Sequence, residues 1–384
     1  MKPTRVQTEA IQKFSCLGAD CPDTCCQGWA MQVTPESLAQ YRAEAPELLD
    51  AVVVTGAQGV MKRAADTGAC VKLEAGWCSI QRDYGPEFLS DACYFYPRVT
   101  RALGETLVTG GALSCPQTAR LMLCEPDAFH LGLRKEIRTP YFLRNYLPEG
   151  FTGEEALDLH QAFLALAGDE QFSAAHNVMR VSAVARGLEM QPTSSWREAF
   201  ALYVPMAEAR IPPAEASAVD LFHLVQAMHG LMVASEAARP RLERLIAALA
   251  EMLGVRFTAE GGIELATDAA SRVVKVLAHL RAQAPQVQVV LRRYVQAQLS
   301  EALFPFAGLG ENLSERMTII GVRFAMTRLA YALLPEHPTE AAIVEVTQTI
   351  ARFTDHLADA ALSLKIFRET GWVREARLRA LVGD

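Results

Sequence analysis

The sequence lacks features that would place it in several common classes. It has no excess of positive charge, because 37 Lys and Arg residues stand against 44 Asp and Glu, for a net charge of −7. A protein that neutralises nucleic-acid phosphates needs the opposite balance, so we expect no nucleic-acid partner. The first ten residues also lack the continuous apolar stretch of a secretory signal. We therefore expect a cytoplasmic protein.

A long uninterrupted apolar run is missing as well. The most apolar candidate for a membrane span is the segment 216–237. The polar side chains that interrupt it are Asp220, His223, Gln226, His229 and Glu236. Because a bilayer centre penalises such side chains, we predict a buried helix there and no membrane partner.

Cysteine is absent from residues 125–384. The nine cysteines are Cys16, Cys21, Cys25, Cys26, Cys70, Cys78, Cys93, Cys115 and Cys124. Cysteine used only for packing would be spread more evenly, so this segregation indicates a local function of the thiols.

Two ordinary explanations compete with metal binding. Structural disulfides need an oxidising compartment, and an odd number of cysteines would leave one thiol unpaired. Inert burial suits Cys124 in particular, because residues 121–124 look like part of an apolar helix face. For the other eight cysteines, a metal or cluster site is the favoured hypothesis.

Eight thiols could fill two four-sulfur sites, or one site with spare thiols. The neighbours Cys25 and Cys26 are expected to point apart, so that one of them would serve a second site or redox chemistry. The spacing matches neither the paired knuckles of zinc ribbons nor the bacterial ferredoxin run. Sulfur ligands suit zinc and iron-sulfur about equally, so spacing alone leaves the metal open.

The residues around these cysteines resemble a known family. The segment 14–29, with Cys16, Cys21-Pro22, Cys25-Cys26 and Gly28-Trp29, is similar to the opening signature of the flagellin lysine-N-methylases and of a wider cysteine-rich group described as zinc- or iron-chelating. The segments 70–73, 76–80, 93–98 and 113–116 resemble the rest of that signature in the same order. The resemblance covers roughly residues 14–120.

The resemblance implies an activity and a cofactor. It implies methyl transfer from S-adenosylmethionine to lysine side chains of flagellin or another protein substrate, with an iron-sulfur centre, 4Fe-4S favoured, or zinc. The implied ligands are Cys16, Cys21, Cys25, Cys26, Cys70, Cys78, Cys93 and Cys115. The alternative function is a non-catalytic zinc- or iron-chelating binding protein.

No motif in the sequence identifies the methyl-donor site. A Rossmann-type methyltransferase would show a strand and then a glycine-rich turn that enters a helix, and we find no good instance. The three-cysteine spacing of radical enzymes that use this donor is also missing. Lysine must be neutral to attack the methyl group, which requires desolvation or a nearby base. Tyr94 and Tyr96, beside Cys93, are candidates for this role, and packing over the centre is the alternative.

The fold is expected to be mainly α. We predict a small, irregular, cysteine-rich metal-binding domain over residues 1–125, with short hairpins at 70–80 and 99–108, and a helix that begins after Thr34. Residues 126–384 are predicted to form a large α-helical domain, because apolar residues recur at helical spacing. Predicted helices are 154–166, 218–235, 240–253, 269–282, 287–303 and 313–334.

Overall fold

The computed structural model describes residues 4–134, 138–210, 216–234, 240–283, 285–354 and 365–383. The chain is mainly α-helical. Its helices are α1 (Glu9–Gln12), α2 (Pro35–Glu44), α3 (Ser79–Asp83), α4 (Asp91–Phe95), α5 (Pro116–Cys124), α6 (Gly153–Gly168), α7 (Ala174–Glu189), α8 (Trp196–Arg210), α9 (Ala218–Val233), α10 (Pro240–Leu253), α11 (Ala269–Ala282), α12 (Pro285–Ala302), α13 (Leu313–Tyr331), α14 (Glu340–Thr354) and α15 (Glu375–Val382).

The strands are short and most of them lie in the first third of the chain. They are β1 (Thr4–Thr8), β2 (Gln32–Val33), β3 (Val52–Thr55), β4 (Gln58–Met61), β5 (Leu73–Glu74), β6 (Trp77–Cys78), β7 (Arg98–Leu103), β8 (Thr106–Gly111), β9 (Leu131–Leu133), β10 (Val255–Phe257) and β11 (Ile263–Leu265). The two predicted hairpins are confirmed as β5–β6 and β7–β8.

One four-stranded sheet has the order β7-β8-β1-β9. Strand β1 pairs in parallel with β8 and antiparallel with β9, so the start of the chain lies between two later segments. A three-stranded sheet of order β2-β4-β3 packs beside α2. Helix α2 begins as predicted, with the Thr34 side chain accepting a hydrogen bond from the Ser37 amide and Pro35 in the first turn.

The predicted helices match the observed ones within a few residues. Helices α10 and α11 have the predicted bounds, and α6, α12 and α13 differ by one to three residues at their ends. The apolar segment 216–237 forms α9, of which residues 235–237 lie outside the described residues. No helix in the described part of the chain is both long and apolar enough to cross a membrane.

The described residues form two separate hydrophobic cores. The larger core joins the long helices with α5 and with one face of the four-stranded sheet. The smaller core consists of twelve buried residues between Met31 and Leu89, including Cys70. The predicted boundary at residue 125 stays a prediction, and the larger core takes residues from both sides of it.

Candidate functional site

The two cysteine-bearing segments meet through their backbones. The Cys70 amide donates a 2.8 Å hydrogen bond to the Cys26 carbonyl, and Gln27 forms a β-bridge with Ala69. Gly18 lies so close to Trp77 that a Cβ atom there would be 2.5 Å from the indole ring. The loop 16–27 therefore lies against the hairpin β5–β6.

Four thiols form an electrostatically coupled set, here called group A: Cys26, Cys70, Cys78 and Cys93. In each of the six possible pairs, the charge of one thiol raises the pKa of the other. Burial is the largest cause of the raised pKa of Cys93, which reaches about 12. All four thiols belong to or pack against the smaller core. Group A therefore lies at the edge of the smaller core.

The remaining thiols of the resemblance form group B: Cys16, Cys21, Cys25 and Cys115. Burial is the main cause of the raised pKa of Cys21, and the Cys16 thiol contributes to it. In turn, Cys21 raises the pKa of Cys115, and Cys115 raises that of Cys25. All four thiols line one cavity.

Helix N-termini hold one thiol of each group. Cys78 directly precedes α3 and Cys115 directly precedes α5. Burial raises the pKa of both thiols, whereas backbone N–H groups of the first helical turn, including those of Gln81 and Thr118, lower it. Such N–H groups stabilise a thiolate, which is the form that binds metals.

The neighbours Cys25 and Cys26 link the two groups. The two side chains interact with each other, yet Cys25 belongs to group B and Cys26 to group A. That the two thiols serve different sites stays a prediction. Both residues lie in a turn, where successive side chains are not held on opposite sides as they are in a strand. The shared hydrogen bond lowers the pKa of Cys26 to about 6 and raises that of Cys25.

The thiols are gathered without being arranged as ligands. All nine cysteines are free, so none forms a disulfide. Among the described residues, no three Cys, His, Asp or Glu side chains are placed to hold one metal ion. The structure therefore brings the predicted ligands into two adjoining groups that also interact with each other, since Cys16 raises the pKa of Cys78 and Cys93 raises that of Cys25. Their binding of a metal stays a prediction.

A cavity of about 610 Å³ lies beside the thiols. The thiols of group B and Cys93 form part of its wall, and the four-stranded sheet forms another part. Side chains alternate between the two faces of a strand, so every second residue of β1, β7 and β8 faces the cavity. These residues are Arg5, Gln7, Arg98, Thr100, Leu107 and Thr109. Val6 and Val108, on the opposite face, are buried in the larger core.

The two predicted tyrosines also line the cavity. The Tyr96 hydroxyl lies 3.3 Å from the Ser114 hydroxyl, and burial raises its pKa well above the usual value. A phenol that keeps its proton can donate a hydrogen bond but cannot act as a phenolate base. The guanidinium carbon of Arg138 lies 5.1 Å from the centre of the Tyr94 ring. A catalytic role for either tyrosine stays a prediction.

Arginines in the cavity wall were missed at the sequence level. They are Arg5, Arg98, Arg134 and Arg138. They are scattered in the sequence. The pairing of β1 with β8 and β9 brings Arg5 and Arg134 together. Arg138 forms a 2.6 Å ion pair with Asp91.

Helix α14 holds the loop that carries Cys21, Cys25 and Cys26. Arg352 forms a 2.8 Å ion pair with Asp23 and donates hydrogen bonds to the carbonyls of Thr24 (2.9 Å) and Gln27 (2.8 Å). Gln348 donates to the Asp23 carboxylate at 2.7 Å. No sequence signal links residues so far apart, and these contacts were not predicted.

Cys124 is separate from both groups. It lies at the end of α5 and packs against the larger core. Burial raises its pKa to about 11. Its position agrees with the hypothesis of an inert thiol on an apolar helix face.

The chain is similar over about a third of its length to three curated proteins. It is 29% identical over 150 residues to the flagellar biosynthetic protein FliU of Salmonella muenchen, a match that covers 35% of this chain and 86% of that protein. It is 27% identical over 145 residues to the lysine-N-methylases of Salmonella typhimurium and Salmonella choleraesuis, covering 34% of this chain and 35% of each relative. No protein-family model matches the chain, and no solved structure matches it. The likeness to the two lysine-N-methylases therefore spans only about a third of the length of each of them.

Proposed function

We propose that the protein is a protein-lysine N-methyltransferase that uses S-adenosylmethionine and carries a cysteine-bound iron-sulfur or zinc centre. The observation that carries this proposal is the gathering of eight thiols from distant parts of the sequence: five of them line one cavity, and the other three interact electrostatically with Cys93 in its wall. The partial similarity to lysine-N-methylases supports the reaction class.

The chemical type of the eight ligand atoms suits such a centre. The two groups contain sulfur donors alone, which favour zinc or iron-sulfur over magnesium or calcium. Group A would supply four ligands and group B four more. Binding would have to draw the thiols closer than they are, because no three of the described side chains are in ligand geometry. A bound 4Fe-4S centre would supply electron transfer, and zinc would supply structural cross-linking.

The cavity offers what the methyl-transfer step needs from the protein. The lysine nitrogen attacks the methyl carbon, a nitrogen–carbon bond forms, and the sulfur–carbon bond of the donor breaks to leave a neutral thioether. The attacking amine must first lose its proton. Apolar side chains such as Phe14, Leu89 and Phe95 line the cavity and would disfavour the charged ammonium form. The hydroxyls of Tyr94 and Tyr96 would orient the amine within it.

Flagellin is the proposed substrate, and the test is mass spectrometry. The protein is purified without oxygen, analysed for iron, sulfide and zinc, and incubated with S-adenosylmethionine and unmodified flagellin. We expect increments of about 14 Da on lysine, the mass of a methyl replacing a hydrogen. No increment on flagellin or on a panel of other surface-lysine proteins, with a metal-replete sample, would refute the enzymatic proposal. Reversible metal binding without donor binding would favour a chelating protein instead.

Matched cysteine variants test the ligand assignment. Cys78→Ser removes one thiol of group A, and Cys124→Ser removes a thiol outside both groups. We expect Cys78→Ser to lose metal and methylation while Cys124→Ser keeps both. Equal metal content in the two variants would contradict the assignment of Cys78.

A further inference from the structure

Two arginine side chains face the cavity without a carboxylate partner. Arg98, on β7, donates a 3.3 Å hydrogen bond to the Tyr94 carbonyl and has its guanidinium carbon 5.0 Å from the centre of the Phe14 ring. Arg134, directly after β9, donates a 2.7 Å hydrogen bond to the Gln7 side chain. Among the described residues, neither guanidinium forms an ion pair with Asp or Glu.

The two guanidiniums line the same cavity as the thiols of group B. Burial lowers the pKa of Arg98, and the charge of Arg134 lowers it further. Cys16 and Cys115 lie within electrostatic range of Arg98 as well. Two positive charges in the wall of one cavity repel each other, and an anion bound in that cavity would relieve the repulsion. The fork geometry of guanidinium suits a planar carboxylate.

We propose that Arg98 and Arg134 form the subsite for the carboxylate of the methyl donor. This inference rests on the proposed function, because it assigns the donor to the cavity. The neighbouring Gln7, Thr100 and Thr109 side chains lie on the same face of the sheet, where the two threonine hydroxyls are 2.9 Å apart, and they would offer neutral hydrogen-bonding groups to the same ligand. The donor would therefore lie along the sheet, with its carboxylate at the arginines.

The test compares two ligands that differ by one carboxylate. S-adenosylhomocysteine and its decarboxylated analogue are titrated by calorimetry into anaerobic, metal-replete protein. We expect the wild type to prefer the carboxylate form by about ten- to one-hundred-fold, the range for charge-assisted hydrogen bonds. Arg98→Gln and Arg134→Gln should each remove most of this preference by weakening S-adenosylhomocysteine and leaving the analogue unchanged. Arg98→Lys, which keeps the charge, should retain part of it.

Arg120→Gln is the matched control. Arg120 lies on α5, outside the cavity wall, and its exposed side chain pairs with Glu125. It should bind both ligands like the wild type. Circular dichroism melting confirms that each variant is folded before titration.

Any other result would refute the assignment of Arg98 and Arg134, and the pattern of binding and metal content shows which step fails. Equal binding of both ligands by the wild type, or an unchanged preference in both glutamine variants, refutes the subsite and leaves the proposed methylation intact. Loss of metal with an unchanged preference shows that the arginines balance the charge of the thiolates instead. Binding of neither ligand by folded, metal-replete wild type refutes the donor itself, and the subsite with it.

Discussion

Replacement of Arg352 by Met should release the cysteine loop from helix α14. The guanidinium donates short hydrogen bonds to the Thr24 and Gln27 carbonyls and a longer one, of 3.4 Å, to the Asp23 carbonyl, and it forms an ion pair with the Asp23 carboxylate. Hydrogen bonds to a charged group contribute about 1.5–3 kcal/mol each, and a partly exposed ion pair adds at most about 1 kcal/mol. Since the Arg352 side chain is 23% exposed, the lower part of this range applies. We expect local destabilisation of about 2–4 kcal/mol.

Hydrogen exchange of the backbone amides in residues 23–28 measures this effect directly. A cost of about 2–4 kcal/mol corresponds to exchange faster by about thirty- to several-hundred-fold, because about 1.4 kcal/mol is a factor of ten. Metal content should fall in parallel, since Cys25 and Cys26 lie in the released loop.

Arg272→Met is the matched control. Arg272 lies on α11 outside the cavity wall, forms an exposed ion pair with Asp268 and donates a 2.8 Å hydrogen bond to the Glu251 carbonyl. Exposed pairs of this kind contribute about 0–1 kcal/mol. If Arg352→Met changed the exchange of residues 23–28 no more than Arg272→Met does, the contacts of Arg352 with the cysteine loop would not stabilise it, and the reasoning would be refuted.

Two further predictions concern stability. Burial lowers the pKa of His160 to about 4, so the folded protein favours the neutral imidazole. The free energy of unfolding is therefore highest above the unfolded pKa of about 6.5. It should fall by about 3 kcal/mol as the pH is lowered from about 6.5 toward 4. Urea unfolding above about pH 6.5 and near pH 4 should show a smaller loss of unfolding free energy for His160→Asn than for the wild type. An equal loss would show that His160 is not the source of this pH dependence. Gly18→Ala should cost about 2–4 kcal/mol because of backbone strain and the clash with Trp77, whereas Gly56→Ala, with a similar φ and open space, should cost only about 1 kcal/mol; equal midpoints in urea would show that the clash is relieved.

Local sequence patterns predicted most of the helical body. The bounds of α10 and α11 follow from their apolar spacing, and α2 begins where Thr34 and Pro35 indicate a helix start. The hairpin predicted over residues 99–108 is likewise observed as β7–β8. These elements depend on interactions between residues a few positions apart, which a sequence shows directly.

The site depends on distant pairings that local patterns do not encode. Strand β1 pairs with β8 across about a hundred residues, and nothing in the segment 4–8 distinguishes that partner from others. The cavity arginines and the contact between Arg352 and the cysteine loop share this origin. The gathering of the cysteines was predicted from their segregation, but their division into two groups required the fold.

The alternation of side chains in the four-stranded sheet gives adjacent residues different consequences when they are mutated. Val6 and Val108 face the larger core, while Arg5, Gln7 and Thr109 face the cavity. Replacing the residues of β1 and β8 one at a time should therefore give an alternating pattern. Variants at core-facing positions should be poorly expressed, whereas variants at cavity-facing positions should fold well and have a changed ligand preference. Cavity chemistry could then be redesigned along these strands without disturbing the scaffold beneath it.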